Sequence, residues 1–139
     1  MARVRVVLDT NVLYAGLYSK GGASHRVLRA IERGAIRTVL SIPLLFEYEE
    51  LLRRRQDELG LTDVDIEEVL DGLCARARHQ QIYFLWRPYL ADPKDDHLLE
   101  LAVASGTRTV VTHNTKHFRE ATTFGVRAVT PRQLLEDLL

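Results

Sequence analysis

Val4-Arg-Val-Val-Leu-Asp-Thr-Asn-Val12 reads as a short apolar strand that ends in a carboxylate. Val4, Val6, Val7 and Leu8 are strand formers, and so short an apolar run fits a central strand of a covered sheet. Asp9, Thr10 and Asn11 follow, and apolar periodicity resumes at Val12, Leu13, Ala15 and Leu17. A strand therefore hands over to a helix with an acid at the handover. In open α/β sheets, ligands bind in the crevice beyond the carboxyl ends of the strands. The plainer reading is that Asp9, Thr10 or Asn11 only caps the next helix.

Working outward, strands alternate with helices. A helix is expected over about 11–18, then a turn at Ser19-Lys-Gly-Gly22, then a helix capped by Ser24 that stops at Gly34. Arg37-Thr-Val-Leu-Ser41 is a second strand. Pro43 suits the first position of a helix that continues through Arg53-Arg-Arg55 and ends before Gly60. Thr62 and Asp65 resemble a capping box for a helix carrying Ile66, Val69, Leu70 and Leu73. Gln81-Ile-Tyr-Phe-Leu85 is strand three, and Asp92 caps a helix that ends at Gly106. Thr109–Thr112 is strand four, 113–121 a loop or short helical turn, and Val126–Val129 a fifth, edge strand. Thr130-Pro-Arg-Gln133 is a capping box that opens the closing helix. The alternation predicts an α/β layered fold around a mainly parallel sheet of four or five strands.

The chain has 139 residues, which suits one domain burying roughly 70% of the surface its unfolded form exposes. Formal net charge is zero, so nothing global draws it to nucleic acid or an anionic membrane. An anionic substrate must be held by local charge or by metal. Sixteen of the 19 cations are Arg, whose planar fork suits phosphate and carboxylate. The single cysteine, Cys74, excludes an internal disulfide and a cysteine-rich zinc site, reads as a small core residue, and predicts a reducing, cytoplasmic setting. No apolar stretch approaches the roughly 18 residues of a membrane span, so no membrane association is expected.

Acids recur where strands meet helices. Asp96 and Glu100 stand four apart on one helix face, with Asp95 about a quarter turn away. Glu47 lies one turn into the helix after strand two, among Leu44, Leu45, Phe46 and Tyr48. Helix-dipole effects account for the acids of 92–100 individually; they do not account for Asp9 or Glu47. If Asp9, Glu47 and Asp96 converge, each pair at about 5 Å repels by roughly 3 kcal/mol at an effective dielectric near 20. Such a cluster persists only where protons or cations offset it. Oxygen donors without Cys or an obvious His pair select Mg²⁺ or Mn²⁺, and an ion so held can activate water against a phosphodiester.

Four motifs in order, Val7-Leu-Asp-Thr-Asn11, Pro43-Leu-Leu-Phe-Glu47, Asp92-Pro-Lys-Asp-Asp96 and Val110-Val-Thr-His-Asn114, resemble the PIN domain, closest to the bacterial branch of VapC toxins. The resemblance covers nearly the whole chain. It implies a three-layer α/β/α fold with the parallel sheet sandwiched by helices, a metal-dependent ribonuclease acting on RNA, a cognate antitoxin and commonly a homodimer. By matching position, Asp9, Glu47 and Asp96 would bind the metal, with Asp95 the alternative one residue away. Thr10, Asn11 and Thr112 would be supporting polar groups. The family often places a fourth acid where Asn114 or His117 stands here, so occupancy by two metals is in question and a weakened nuclease is compatible with the sequence. Glu100 or the Asn114 carbonyl would then complete the site.

Lys116 and Arg119, near the crevice, are the better candidates for phosphate contact, and Arg53 within Arg53-Arg-Arg55 is a weaker one. His113 and His117 read as loop residues near phosphate rather than a transition-metal pair. Tyr83, Trp86 and Tyr89 read as core or interface aromatics rather than base-stacking platforms. Two competing functions remain: a PIN-like scaffold that binds RNA or a partner protein without catalysis, and a DNA-directed nuclease of the same fold.

Overall fold

A computed structural model of the chain describes residues 4–82 and 95–138. Five parallel strands form one sheet: β1 Val4–Leu8, β2 Ile36–Leu40, β3 Arg78–His79, β4 Thr109–Val111 and β5 Arg127–Val129. Their order is β3-β2-β1-β4-β5. The helices are α1 Thr10–Tyr18, α2 Ala23–Glu32, α3 Ile42–Arg54, α4 Gln56–Leu59, α5 Asp63–Arg76, α6 Asp96–Ser105 and α7 Pro131–Asp137, and a 3₁₀ segment spans Thr115–Phe124. The expected α/β architecture with a parallel sheet is what forms.

β1 sits centrally because both of its faces are apolar. Val7 packs with Val39, Leu44, Tyr48, Leu98 and Val110 on one side of the sheet. Val6 and Leu8 pack with Val12, Val27, Ile31 and Leu134 on the other. Those two faces are the two halves of the core, and alternation along one strand divides them. β1 lies between β2 and β4, so connections diverge from it to either side, and the crevice beyond its carboxyl end is where this topology places ligands.

Several local expectations hold. Ser41 caps α3 by accepting from the Leu44 amide, with Pro43 in the first turn. Both capping boxes form, Thr62 with Asp65 and Thr130 with Gln133. Gly106 ends α6 in the left-handed conformation, which a residue without Cβ adopts at least cost.

Others are corrected. Gly22, not Ser24, is the cap of α2; the Ser24 hydroxyl is turned onto His113 instead. Strand three lies at Arg78–His79, ahead of the expected 81–85: Gln81 and Ile82 are outside it, and 83–85 fall outside the described residues. The ladder needs only backbone, and the registers Val39 with Arg78 and Leu40 with His79 place two exposed polar side chains on an edge. The helix expected from Pro43 to Gly60 is two helices, because Arg55 leaves helical geometry. The late helix begins at Asp96 with Asp95 as its cap. Asp92, and the aromatics Tyr83, Trp86 and Tyr89, lie outside the described residues. Cys74 is partly buried against the core, where burial pushes its thiol up. No described helix is long and apolar enough to cross a membrane.

Candidate active site

Asp9 follows the last residue of β1, and its amide still bonds to the Val111 carbonyl of β4 at 2.9 Å. It stands at the cap position of α1, yet its side chain makes no capping bond. Its carboxylate accepts instead from the Thr112 hydroxyl at 2.7 Å and from Thr10 at 3.4 Å. Capping alone therefore does not explain this acid. Asp9 is 6% exposed. Burial raises its carboxyl above the ordinary range; the Thr112 and Thr10 bonds oppose that shift, and the negative charge of Glu47 adds to it.

The groups behind Asp9 form one network. Thr112 Oγ1 also accepts from the Asn11 amide at 3.3 Å and the Asn114 backbone N–H at 3.0 Å. Asn11 Oδ1 accepts from the His113 backbone at 3.3 Å, and His113 Nε2 meets Ser24 Oγ at 2.9 Å. Thr10 and Thr112 thus contact the acid directly, and Asn11 reaches it through Thr112. Tyr48, fully enclosed, donates its hydroxyl to the Leu8 carbonyl. Burial, then the charges of Asp9 and Glu47, drive its phenol well above the ordinary value.

A cleft of about 400 Å³ opens at Asp9, lined by Asp9, Thr10, Glu47, Glu50, Leu51, Arg54 and Asp95. Glu47 comes from α3 and Asp95 from the start of α6, so three segments deliver acids to one cleft. Asp96 and Glu100 are buried in α6 and do not line it. The position flagged as the alternative, Asp95, is the one that faces the space. Glu47 Oε2 lies 2.7 Å from Nε2 of buried His97, and Asp95 Oδ2 lies 3.2 Å from Nδ1 of His117. Among the described residues, no group of three His, Cys, Asp or Glu is already drawn together tightly enough to hold a metal ion.

The neutral residues after β4 take separate roles. Asn114 is exposed and contributes its backbone to Thr112. His113 and His117 bond to different partners and do not form a pair. Lys116 and Arg119 are exposed on the 3₁₀ segment and do not line the cleft. Arg53 is engaged by Glu49 at 3.1 Å and is also outside it. Two residues were not picked out from the sequence: Arg54, which reaches the cleft while touching Glu50 at 3.2 Å, and His97. Arg54 was legible only as one of three consecutive arginines; helical phase chooses which of them turns toward Glu47, seven residues before it.

The model of the PIN domain family matches residues 5–116, from β1 to the start of the 3₁₀ segment after β4. The chain belongs to the PIN domain family. Its fold is similar to the crystal structure of VapBC2 from Rickettsia felis bound to a DNA fragment from their promoter, with a TM-score of 0.62 and 14% identity over 91% of this chain and 98% of that one. It is also similar to PAE2754 from Pyrobaculum aerophilum, with a TM-score of 0.59 and 19% identity over 97% of this chain and 89% of that one. No curated protein sequence matches it. At these identities the two structures bear on the fold alone.

Proposed function

We propose that this PIN domain is a Mg²⁺- or Mn²⁺-dependent endoribonuclease and the toxin of a toxin–antitoxin pair in the cytoplasm. The observation that carries this reading is the cleft at the end of β1, into which Asp9, Glu47 and Asp95 project from three separate segments. PIN domains are generally nucleases, and the likeness to the VapBC2 structure supports a toxin with a cognate antitoxin. A homodimer is the assembly the family implies.

The donors available are carboxylate oxygens, which suit a hard divalent ion held in part by water. Asp9, Glu47 and Asp95, the last in place of the buried Asp96, would hold it. The ion would supply an activated water and charge neutralisation at the phosphodiester. The chain's own groups do the rest. Thr112 keeps one Asp9 oxygen engaged, so the other is presented to the cleft beside Thr10. Arg54 offers a guanidinium on the same wall for the phosphate, and Lys116 and Arg119 provide exposed cations farther along the RNA. Burial raises the Asp9 carboxyl above its ordinary range, so a proton and a cation would compete to neutralise it.

Purified protein incubated with RNA, with and without Mn²⁺, beside Asp9→Asn and Asp96→Asn, tests this. Metal-dependent cleavage lost in Asp9→Asn supports it; equal cleavage by all three proteins, or none by any across metals and RNAs, overturns it. A second reading, a non-catalytic scaffold that binds RNA or a partner, rests on Asn114 and on the carboxylates leaning on histidines. RNA binding without any Mn²⁺ heat in calorimetry would favour it.

A further inference from the structure

His97 is a histidine placed where an apolar residue would pack more cheaply. It is the second residue of α6, followed by Leu98 and Leu99, and is 5% exposed. Neither imidazole nitrogen makes an aligned hydrogen bond. A buried polar ring in that state costs free energy that a leucine or phenylalanine would not. Its one ion-pair contact among the described residues is Glu47, at 2.7 Å from Nε2, close but off the axis of an N–H there. Glu47 is half-exposed, so a modest turn of its side chain brings the carboxylate into line.

The two residues belong to different helices. Glu47 lies in α3, and His97 follows Asp95 and Asp96 at the start of α6. The contact therefore ties the helix that carries Glu47 to the turn that carries Asp95. Among the described residues Oε2 is the Glu47 oxygen in contact with His97, and Glu47 also lines the cleft beside Asp9. Carboxylate ligands are commonly fixed in this way by a hydrogen-bonded group behind them.

We infer that His97 is a positioning residue: its Nε2–H holds Glu47 so that the other carboxylate oxygen faces Asp9, and thereby sets the affinity of the cleft for a divalent ion. The inference rests on the metal-site reading above and deepens it, since it names the residue that makes a half-exposed glutamate a usable ligand. Core packing alone predicts a different pattern of substitutions.

The test uses the full chain with His97→Gln, His97→Leu and Asp9→Asn, and three measurements: thermal unfolding without metal, Mn²⁺ affinity by calorimetry, and metal-free crystal structures. The Gln amide nitrogen reaches the place of Nε2, whereas Leu fills the space without a donor. His97→Leu is expected to unfold at or above the wild-type temperature, to release Glu47 from its place, and to bind Mn²⁺ about 10-fold or more weakly. His97→Gln is expected to keep Glu47 in place and stay within about threefold of wild type. Unchanged Mn²⁺ affinity in His97→Leu, while Asp9→Asn abolishes binding, overturns the inference and leaves the metal site intact. Equal losses in the Leu and Gln variants overturn it too. If wild type binds no Mn²⁺, the metal reading fails, and with it the effect of His97 on affinity.

Discussion

The Thr112 hydroxyl donates to Asp9 Oδ2 at 2.7 Å and joins the carboxyl end of β4 to the carboxyl end of β1. The same oxygen accepts from Asn11 and from the Asn114 amide, so one buried hydroxyl organises the floor of the cleft. Thr112→Val removes a bond that favours the Asp9 carboxylate and strands donors that are now satisfied. Unfolding by urea should show a loss of about 1–3 kcal/mol, and Mn²⁺ titration a weakening of about 10-fold or more. Thr112→Ser should keep both within a factor of a few.

Tyr48 lies between the core and the acids, with its hydroxyl on the Leu8 carbonyl. Tyr48→Phe should cost about 1 kcal/mol at neutral pH. The alkaline limb differs more. A tyrosine of the unfolded chain releases its proton near pH 10, whereas burial keeps Tyr48 protonated well above that. Above pH 10 the native state holds a proton that the unfolded state has lost, so stability falls as pH rises. The phenylalanine variant should lack this part of the decline when melting temperature is followed between pH 9 and about 11.

Gly16 is buried in α1 where α2 crosses it. A Cβ there would meet Leu28 Cδ1 at 2.5 Å and the Ser24 carbonyl at 3.0 Å. Alanine is the better helix former by about 1 kcal/mol, but crowding against backbone costs about 1–3 kcal/mol. Gly16→Ala should therefore be neutral to destabilising, and Gly16→Val clearly destabilising. Because α2 holds Ser24 on His113, the valine variant should also disturb the Asn11–Thr112 network, visible as a weaker Mn²⁺ response.

Arg53 and Arg54 are adjacent in sequence but face different surroundings. Arg53 meets Glu49 and Asp63, while Arg54 lines the cleft. Arg54→Ala should weaken binding of a short single-stranded RNA several-fold more than Arg53→Ala, measured by fluorescence anisotropy at low salt. Neither should move stability by more than about 0.5 kcal/mol, as expected of exposed ion pairs.

The parts of the fold written in local chemistry were legible. The apolar run before Asp9, the Thr62 and Thr130 capping boxes and the glycine after α6 each depend on residues within a few positions of one another. Strand three was not, because Gln81–Leu85 has the aromatic and β-branched content of a strand, while Arg78–His79 pairs through backbone alone. At the candidate site, Asp9 and Glu47 stood out as acids that local structure did not require. His97 did not: between Asp96 and Leu98 it reads as an ordinary helical residue, and only the approach of α3 gives it a carboxylate. The choice between Asp95 and Asp96 turned on where α6 starts, which a run of charged residues after Pro93 leaves undetermined in the sequence.

The central claim is that acids from β1, α3 and α6 share a divalent ion. A crystal structure of the wild-type chain soaked in Mn²⁺, with anomalous scattering to locate the metal, tests it most directly. A Mn²⁺ peak is expected in the cleft within about 2–2.5 Å of carboxylate oxygens of Asp9, Glu47 and Asp95. An empty cleft at saturating Mn²⁺, or an ion bound away from Asp9, would contradict it.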